Sequence, residues 1–182
     1  VNADDVISCE DANPAIQIRK KPESSLVKAL DILKNDDEAV GLVSAGSTGA
    51  VLAGGLLKIG RIAGVSRPGL APTLPSKKGN GVLLLDCGAN ADCKPQYLLQ
   101  FAIMASEYMN RVLGIEKPRV GLLNVGTEDH KGNAFIQEVF ALLKECQEIN
   151  FVGNMEARDA MTGNYDVIVA DGFAGNVALK TL

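Results

Sequence analysis

Tryptophan is absent from the chain, and its 182 residues include only three Tyr and five Phe. A scarcity of aromatics beside abundant Val, Leu, Ile, Ala and Gly is the profile of a soluble α/β protein. Basic residues are not in excess either. The formal net charge is -4 and the pI is near 5.1, and both argue against a phosphate backbone as the main partner. No apolar run approaches the ~18 residues that crossing a bilayer requires, and no secretory leader is read at the start. The four cysteines, Cys9, Cys87, Cys93 and Cys146, match no zinc or redox spacing, so they read as buried or idle thiols in a reducing cytoplasm. There is one histidine, His130. It has no Ser or Cys partner with which to build a nucleophilic relay.

What is present is the material of an α/β protein. Hydrophobic residues make up 47% of the chain, a share that excludes a disordered polymer and supplies one sizeable core. The expected organisation is a single α/β domain over residues 1–182. Short continuous apolar runs at 40–43, 82–85, 120–123, 150–152 and 167–169 read as strands. Helical spacing appears from Ser24 and Ser25 to about Asn35, then at 48–59, 95–113, 134–147 and 156–161. Strands apolar on both faces and alternating with helices predict an α/β fold with a mostly parallel sheet and helices on both faces. A long proline-containing connection, 64–81, has room for an extra edge strand around 70–74. The chain opens at Val1 without Met, and 176–182 reads as the first turns of a helix. It is therefore expected to be a fragment.

In open α/β sheets ligands sit beyond the carboxyl ends of the strands. The five exits read Ser44-Ala-Gly-Ser-Thr-Gly49, Asp86-Cys-Gly-Ala-Asn-Ala-Asp92, Asn124-Val-Gly-Thr-Glu-Asp-His-Lys-Gly-Asn133, Gly153-Asn154 and Asp171-Gly-Phe-Ala-Gly-Asn176. Glycine permits a sharp turn and a close approach, and hydroxyls, amides and free N–H groups at a helix start bind anions. Any one such turn is explained by capping alone; five together point to an anionic ligand. The 46–49 turn lacks the lysine of a P-loop and the spacing of the dinucleotide fingerprint. Asp86, Asp92, Glu128 and Asp171 have the oxygens that Mg2+ prefers, with helix capping as the competing role.

These segments, together with Arg67-Pro-Gly-Leu-Ala-Pro-Thr-Leu-Pro75, Pro118-Arg-Val-Gly-Leu-Leu-Asn-Val-Gly-Thr-Glu128, Lys131-Gly-Asn133 and Phe151-Val-Gly-Asn-Met-Glu-Ala-Arg158, carry a resemblance along essentially the whole chain. The sequence resembles the bacterial phosphate acyltransferases of phospholipid synthesis, the PlsX family. The resemblance implies a Rossmann-like, isopropylmalate dehydrogenase-like fold, a homodimer, and peripheral attachment at the inner membrane face through parts absent from this chain. By the same resemblance the missing parts are an N-terminal strand-turn unit and the C-terminal helices. It also implies a cytoplasmic enzyme that moves a fatty acyl group from acyl carrier protein to inorganic phosphate. That reaction needs neither metal nor cofactor. On this reading Lys131, Asn176 and Asp171 are catalytic, and Ser47, Thr48 and Gly49 hold phosphate. Asn90, Glu128 and Asn133 orient substrate, while Arg61, Arg67, Lys77 and Lys78 are candidates for docking the acidic carrier. The rival readings are a phosphotransacylase acting on acyl-coenzyme A, a nucleotide-binding dehydrogenase-like domain, and a fragment without activity of its own.

Overall fold

The computed structural model describes residues 1–182, whose contacts divide the chain into two compact units, Val1–Pro68 and Gly69–Leu182. Each is described by itself.

The first unit is helical. α1 (Pro14–Lys20) starts on Asn13, whose side chain accepts from the Ile16 N–H, with proline in its first turn. α2 (Ser25–Asn35) follows, and α3 (Thr48–Gly54) runs on into a π turn, Gly55–Ile59. Ile7, Ile18, Val27 and Ala50 form the buried centre of this unit. Residues 40–43, expected as a strand, carry no strand, and Val40 and Val43 are almost fully exposed. An apolar run becomes a strand only when a neighbour takes up its N–H and C=O groups. This unit has no ladder to offer; its β pairing is the single Asp5–Ser24 bridge.

The second unit holds a five-stranded sheet: β1 (Thr73–Leu74), β2 (Val82–Leu85), β3 (Arg119–Leu123), β4 (Asn150–Met155) and β5 (Val167–Val169). The order is β1-β2-β5-β3-β4, antiparallel only at the β1 edge, so the sheet is mostly parallel as its apolar runs imply. The edge strand lies inside the long proline-containing connection. Side chains alternate across the sheet with period two. Leu83, Leu85, Val120, Leu122, Val167 and Val169 pack under α4 (Pro95–Leu113) and α5 (Ala134–Glu145) through Leu98, Phe101, Met109, Phe140 and Leu143. Val82, Leu84 and Ile168 face the other way, with Met155, Ala160 and Leu179. Fully burying one such Leu, Val or Phe contributes about 1.5–3 kcal/mol, so strands buried on both sides are what this composition favours.

Helix ends follow local chemistry. Pro95 opens α4 at N1, and Gly114 closes it in a left-handed conformation. The 156–161 stretch forms only a 3-10 turn, Ala157–Asp159, and α6 spans Gly172–Thr181, starting four residues before the expected Asn176. β4 extends to Met155, which places Gly153 and Asn154 inside a strand rather than at its exit.

Candidate functional site

Chain direction around β5 defines the place to look. β2 and β3 are followed by α4 and α5 on one face, whereas β5 is followed by α6, whose Leu179 joins the cluster on the other. Helices that leave neighbouring strands toward opposite faces open a crevice at the strands' carboxyl ends. The loops there begin at Asp86, Asn124 and Asp171.

The Asp86 loop is organised from within. The Asp86 carboxylate is fully buried and accepts from the Leu70 N–H at 2.9 Å, the Ala89 N–H at 3.2 Å, and Asn90 through its backbone N–H at 2.7 Å and its amide at 3.0 Å. Charge-assisted bonds of this kind settle a buried carboxylate and fix the turn. Asn90 is therefore held in place, and its carbonyl accepts from the Gly172 N–H at 2.8 Å.

α6 starts hard against this loop. A Cβ on Gly172 would stand 2.5 Å from the Asn90 carbonyl oxygen, and one on Gly175 would stand 1.9 Å from that of Asp86. Only glycine at both positions lets the helix seat there. Asp171 caps it, accepting from the Phe173 N–H at 2.9 Å and the Ala174 N–H at 2.8 Å. Asn176, one turn along and half-buried, lies over Gly88, where a Cβ would be 3.7 Å from its amide carbon and oxygen. Its amide is engaged by no other group of the chain. The structure thus brings Asn90, Asp171 and Asn176 together.

A second group follows β3. Lys131 stands 3.9 Å from the Glu128 carboxylate in a partly exposed pair, and Asn133 caps α5 by accepting from the Ile136 N–H at 2.9 Å. His130 is exposed, and it is the His130 carbonyl that accepts from Gln137. Gly132 is in the left-handed region, and a Cβ there would meet Ile136 at 2.7 Å and the Asn124 Oδ1 at 2.9 Å.

Ser47, Thr48 and Gly49 lie in the first unit. Ser47 caps α3 by a long 3.4 Å bond from the Ala50 N–H, and the Gly46 N–H donates to the Ser44 hydroxyl at 3.2 Å. Gly49 also has a packing reason: a Cβ there would press on Pro14 at 3.1 Å.

The two thiols beside these loops, Cys87 and Cys93, are poor nucleophiles. Burial, with Asp86 beside it, pushes the Cys87 thiol up to about 11, and burial likewise raises Cys93. No three of the chain's His, Cys, Asp and Glu side chains gather as a group able to hold a metal ion. Asp86 and Asp171 are committed to backbone N–H groups instead.

The sequence offers Asp86 as a candidate Mg2+ ligand or a helix cap, and it does not single out Asn124, Asn154 or Gln137, whose amides tie the Glu128–Gly132 backbone. Their bonding partners lie up to 26 residues away, and no local pattern marks them.

The profile of the family described as fatty acid synthesis protein matches residues 1–182. The phosphate acyltransferase of Bacillus subtilis (strain 168) is 52% identical over 183 residues, covering 100% of this chain and 54% of that protein. Those of Bacillus cereus (strain B4264) and Geobacillus thermodenitrificans are 54% and 51% identical, covering 93% and 100% of this chain and 51% and 55% of their own length. The chain thus spans about half the length of these curated relatives. Among solved structures, the EutD phosphotransacetylase from Staphylococcus aureus matches with a TM-score of 0.62 at 20% identity, over 94% of this chain and 63% of that one. A phosphotransacetylase from Streptococcus pyogenes matches with 0.60 at 18%, over 96% and 64%. These two establish the fold class. A family match over its full length, with relatives half identical along it, shows that the chain belongs to the fatty acid synthesis protein family, as a relative of the bacterial phosphate acyltransferases.

Proposed function

We propose that the chain is the part of a phosphate acyltransferase that carries the anion-handling loops for transferring a fatty acyl group from acyl-acyl carrier protein to inorganic phosphate. The observation that carries this reading is the identity of about half of all residues, along the whole chain, with proteins of that name. The product would be an acyl phosphate for phospholipid synthesis. An oxygen of hydrogenphosphate attacks the thioester carbon, the C–O bond forms, and the tetrahedral oxyanion collapses with loss of the thiolate. The proton given up by the phosphate ends on the departing sulfur. No covalent enzyme intermediate is required, which suits a chain in which burial shifts the Cys87 and Cys93 thiols away from the reactive thiolate.

The chemistry calls for neutralising one anion as another forms, a task for fixed donors and a cation. Asn176 and Lys131 take these roles: the Asn176 amide is unspent, and Lys131 keeps only a distant carboxylate. Asp171 acts by capping the helix that presents Asn176, and Glu128 acts by steering Lys131. Asn90 and Asn133 orient substrate, and Ser47, Thr48 and Gly49 hold phosphate. The carrier protein would dock on basic side chains among Arg61, Arg67, Lys77 and Lys78. A cytoplasmic homodimer attached peripherally at the inner membrane face belongs to the same proposal; no helix is long and apolar enough to cross a membrane.

The test is to incubate the full-length protein with labelled phosphate and either acyl-acyl carrier protein or acyl-coenzyme A. Acyl phosphate formed faster from the carrier protein is the expected result. Faster formation from acyl-coenzyme A would transfer the assignment to phosphotransacylase, and no product from either donor would reject both.

A further inference from the structure

The backbone of the loop after β3 is held in an unusual way. Four of its carbonyl oxygens, those of Glu128, His130, Lys131 and Gly132, accept hydrogen bonds from side-chain amides. Asn154 on β4 donates to Glu128 at 2.8 Å. Asn124, at the end of β3, donates to Lys131 at 3.1 Å while its own oxygen takes the Val125 N–H at 2.8 Å. Gln137 on α5 donates to His130 at 2.9 Å and to Gly132 at 3.1 Å. Three amides from three elements thus converge on the backbone that carries Lys131. The stem of that side chain lies against Gly126, where a Cβ would meet it at 3.2 Å.

Asn154 bears a cost for this. It is 4% exposed, and its Oδ1 is buried with no hydrogen-bond partner. A buried acceptor left unpaired is destabilising, and an apolar side chain of the same size would avoid the penalty. The Glu128 carbonyl would not be orphaned by such a replacement, because it also accepts from the Lys131 N–H at 3.1 Å. Stability alone therefore gives a poor account of an asparagine at this position. Fixing the loop gives a better one, since a small displacement of a charged group from its productive geometry weakens its action on a reacting anion.

We infer that Asn154, Asn124 and Gln137 are positioning residues for the proposed acyl transfer, acting through Lys131 by immobilising residues 128–132. This inference rests on the role of Lys131 proposed above. Asn154→Leu should keep or raise thermal stability and lower kcat at least about tenfold, with the KM for phosphate little changed, because misplacement by ~1 Å can cost up to about a hundredfold. Gln137 is exposed on α5 and can be replaced without risk to folding; Gln137→Ala should show a smaller loss of the same kind.

The deciding measurement is a double-mutant cycle with Lys131→Ala in the full-length protein. If the amides act through Lys131, neither Asn154→Leu nor Gln137→Ala lowers kcat further once Lys131 is gone. If Lys131→Ala is nearly inactive but the second substitutions multiply the loss, or have no effect on their own, the positioning inference is overturned and the Lys131 role stands. If Lys131→Ala is as active as the wild type, the Lys131 role falls first and this inference with it. Should Asn154→Leu fail to fold, the Gln137→Ala arm of the cycle decides alone.

Discussion

At the amino ends of β3 and β5 the polar groups close on each other, whereas toward the carboxyl ends of the sheet's parallel strands they are spent on backbone and leave donors over. Below the sheet, the Arg119 side chain reaches the Asp166 carboxylate at 2.8 Å through two nitrogens, and its third contact is the Gly163 carbonyl at 2.9 Å. The Arg119 N–H completes the clamp at 2.8 Å. Burial alone would raise the Asp166 carboxyl, but the Arg119 hydrogen bonds and charge outweigh it and hold the group below the ordinary carboxylate range. Above the sheet, Asp86, Asp171, Asn124, Asn133 and Asn154 also bond, yet mainly to main-chain atoms, and they leave the Asn176 amide idle and Lys131 loosely paired. A closed set of charges has nothing left for a ligand. A set that rigidifies backbone and presents a spare donor and a cation does, and this difference separates the structural end of the sheet from the candidate site.

The largest effect should come from the open end. Removing one fixed donor to a developing oxyanion commonly costs about 2.7–4 kcal/mol, a hundredfold to a thousandfold in kcat. Lys131→Ala should show a loss of that size in acyl transfer with its melting temperature unchanged, since its pair with Glu128 is long and partly exposed. Lys131→Arg should recover only part of the rate, because a planar guanidinium delivers its charge elsewhere. If Lys131→Ala keeps more than about a tenth of wild-type kcat, the open end is not where catalysis draws its cation.

Arg119→Ala should do the reverse, lowering stability and sparing turnover. Breaking a buried pair by removing one partner costs about 3–5 kcal/mol, and the lower end applies because roughly a third of the Arg119 side chain is exposed. Thermal melts and kcat of the folded variant are the two readouts; a fall in both by similar factors would erase the contrast. The same clamp has a pH signature. Asp166 has a folded value below its ordinary 3.8, so its contribution is fully present above that value and is lost as pH falls through the lower folded one. Asp166→Asn should therefore lower stability at neutral pH and flatten part of the acid unfolding curve below about pH 4, because the variant no longer carries the group whose protonation removes that stability.

The two ends were unequally legible in the sequence. α4 could be placed at Pro95–Leu113 because proline opens it and glycine closes it, both local signals. β2, β3 and β5 were legible because strands buried on both faces read as unbroken apolar runs. The same rule failed at 40–43, where the run is apolar but unpaired, since pairing is a property of the neighbour rather than of the run. It also ended β4 too early, at Val152, because Gly153, Asn154 and Met155 continue the ladder past a register shift at Val120 and Gly121. α1 is seven residues long, too short for a helical period to stand out, although Asn13 and Pro14 mark its start. Candidate side chains could be named from strand exits. The amides that immobilise them could not, because their bonds join residues that only the fold brings together.

The smallest effect tests whether the turn in the first unit extends the open chemistry or is only a cap. Gly49 is a poor probe, because any side chain there presses on Pro14 and would disturb α1 and α3 whether or not phosphate binds. Ser47 separates the two roles. Its hydroxyl accepts one long bond from the Ala50 N–H at 3.4 Å, so loss of the cap should cost only about 0.5 kcal/mol, the low end of the usual range. A hydroxyl that donates to a phosphate oxygen makes a charge-assisted bond worth about 1.5–3 kcal/mol, and 1.4 kcal/mol is already tenfold in affinity. Ser47→Ala should then raise the KM for phosphate about tenfold or more while shifting the melting temperature little, and Ser47→Thr should restore it. An unchanged KM with the small stability loss would leave Ser47 as a helix cap and confine phosphate handling to the loops of the second unit.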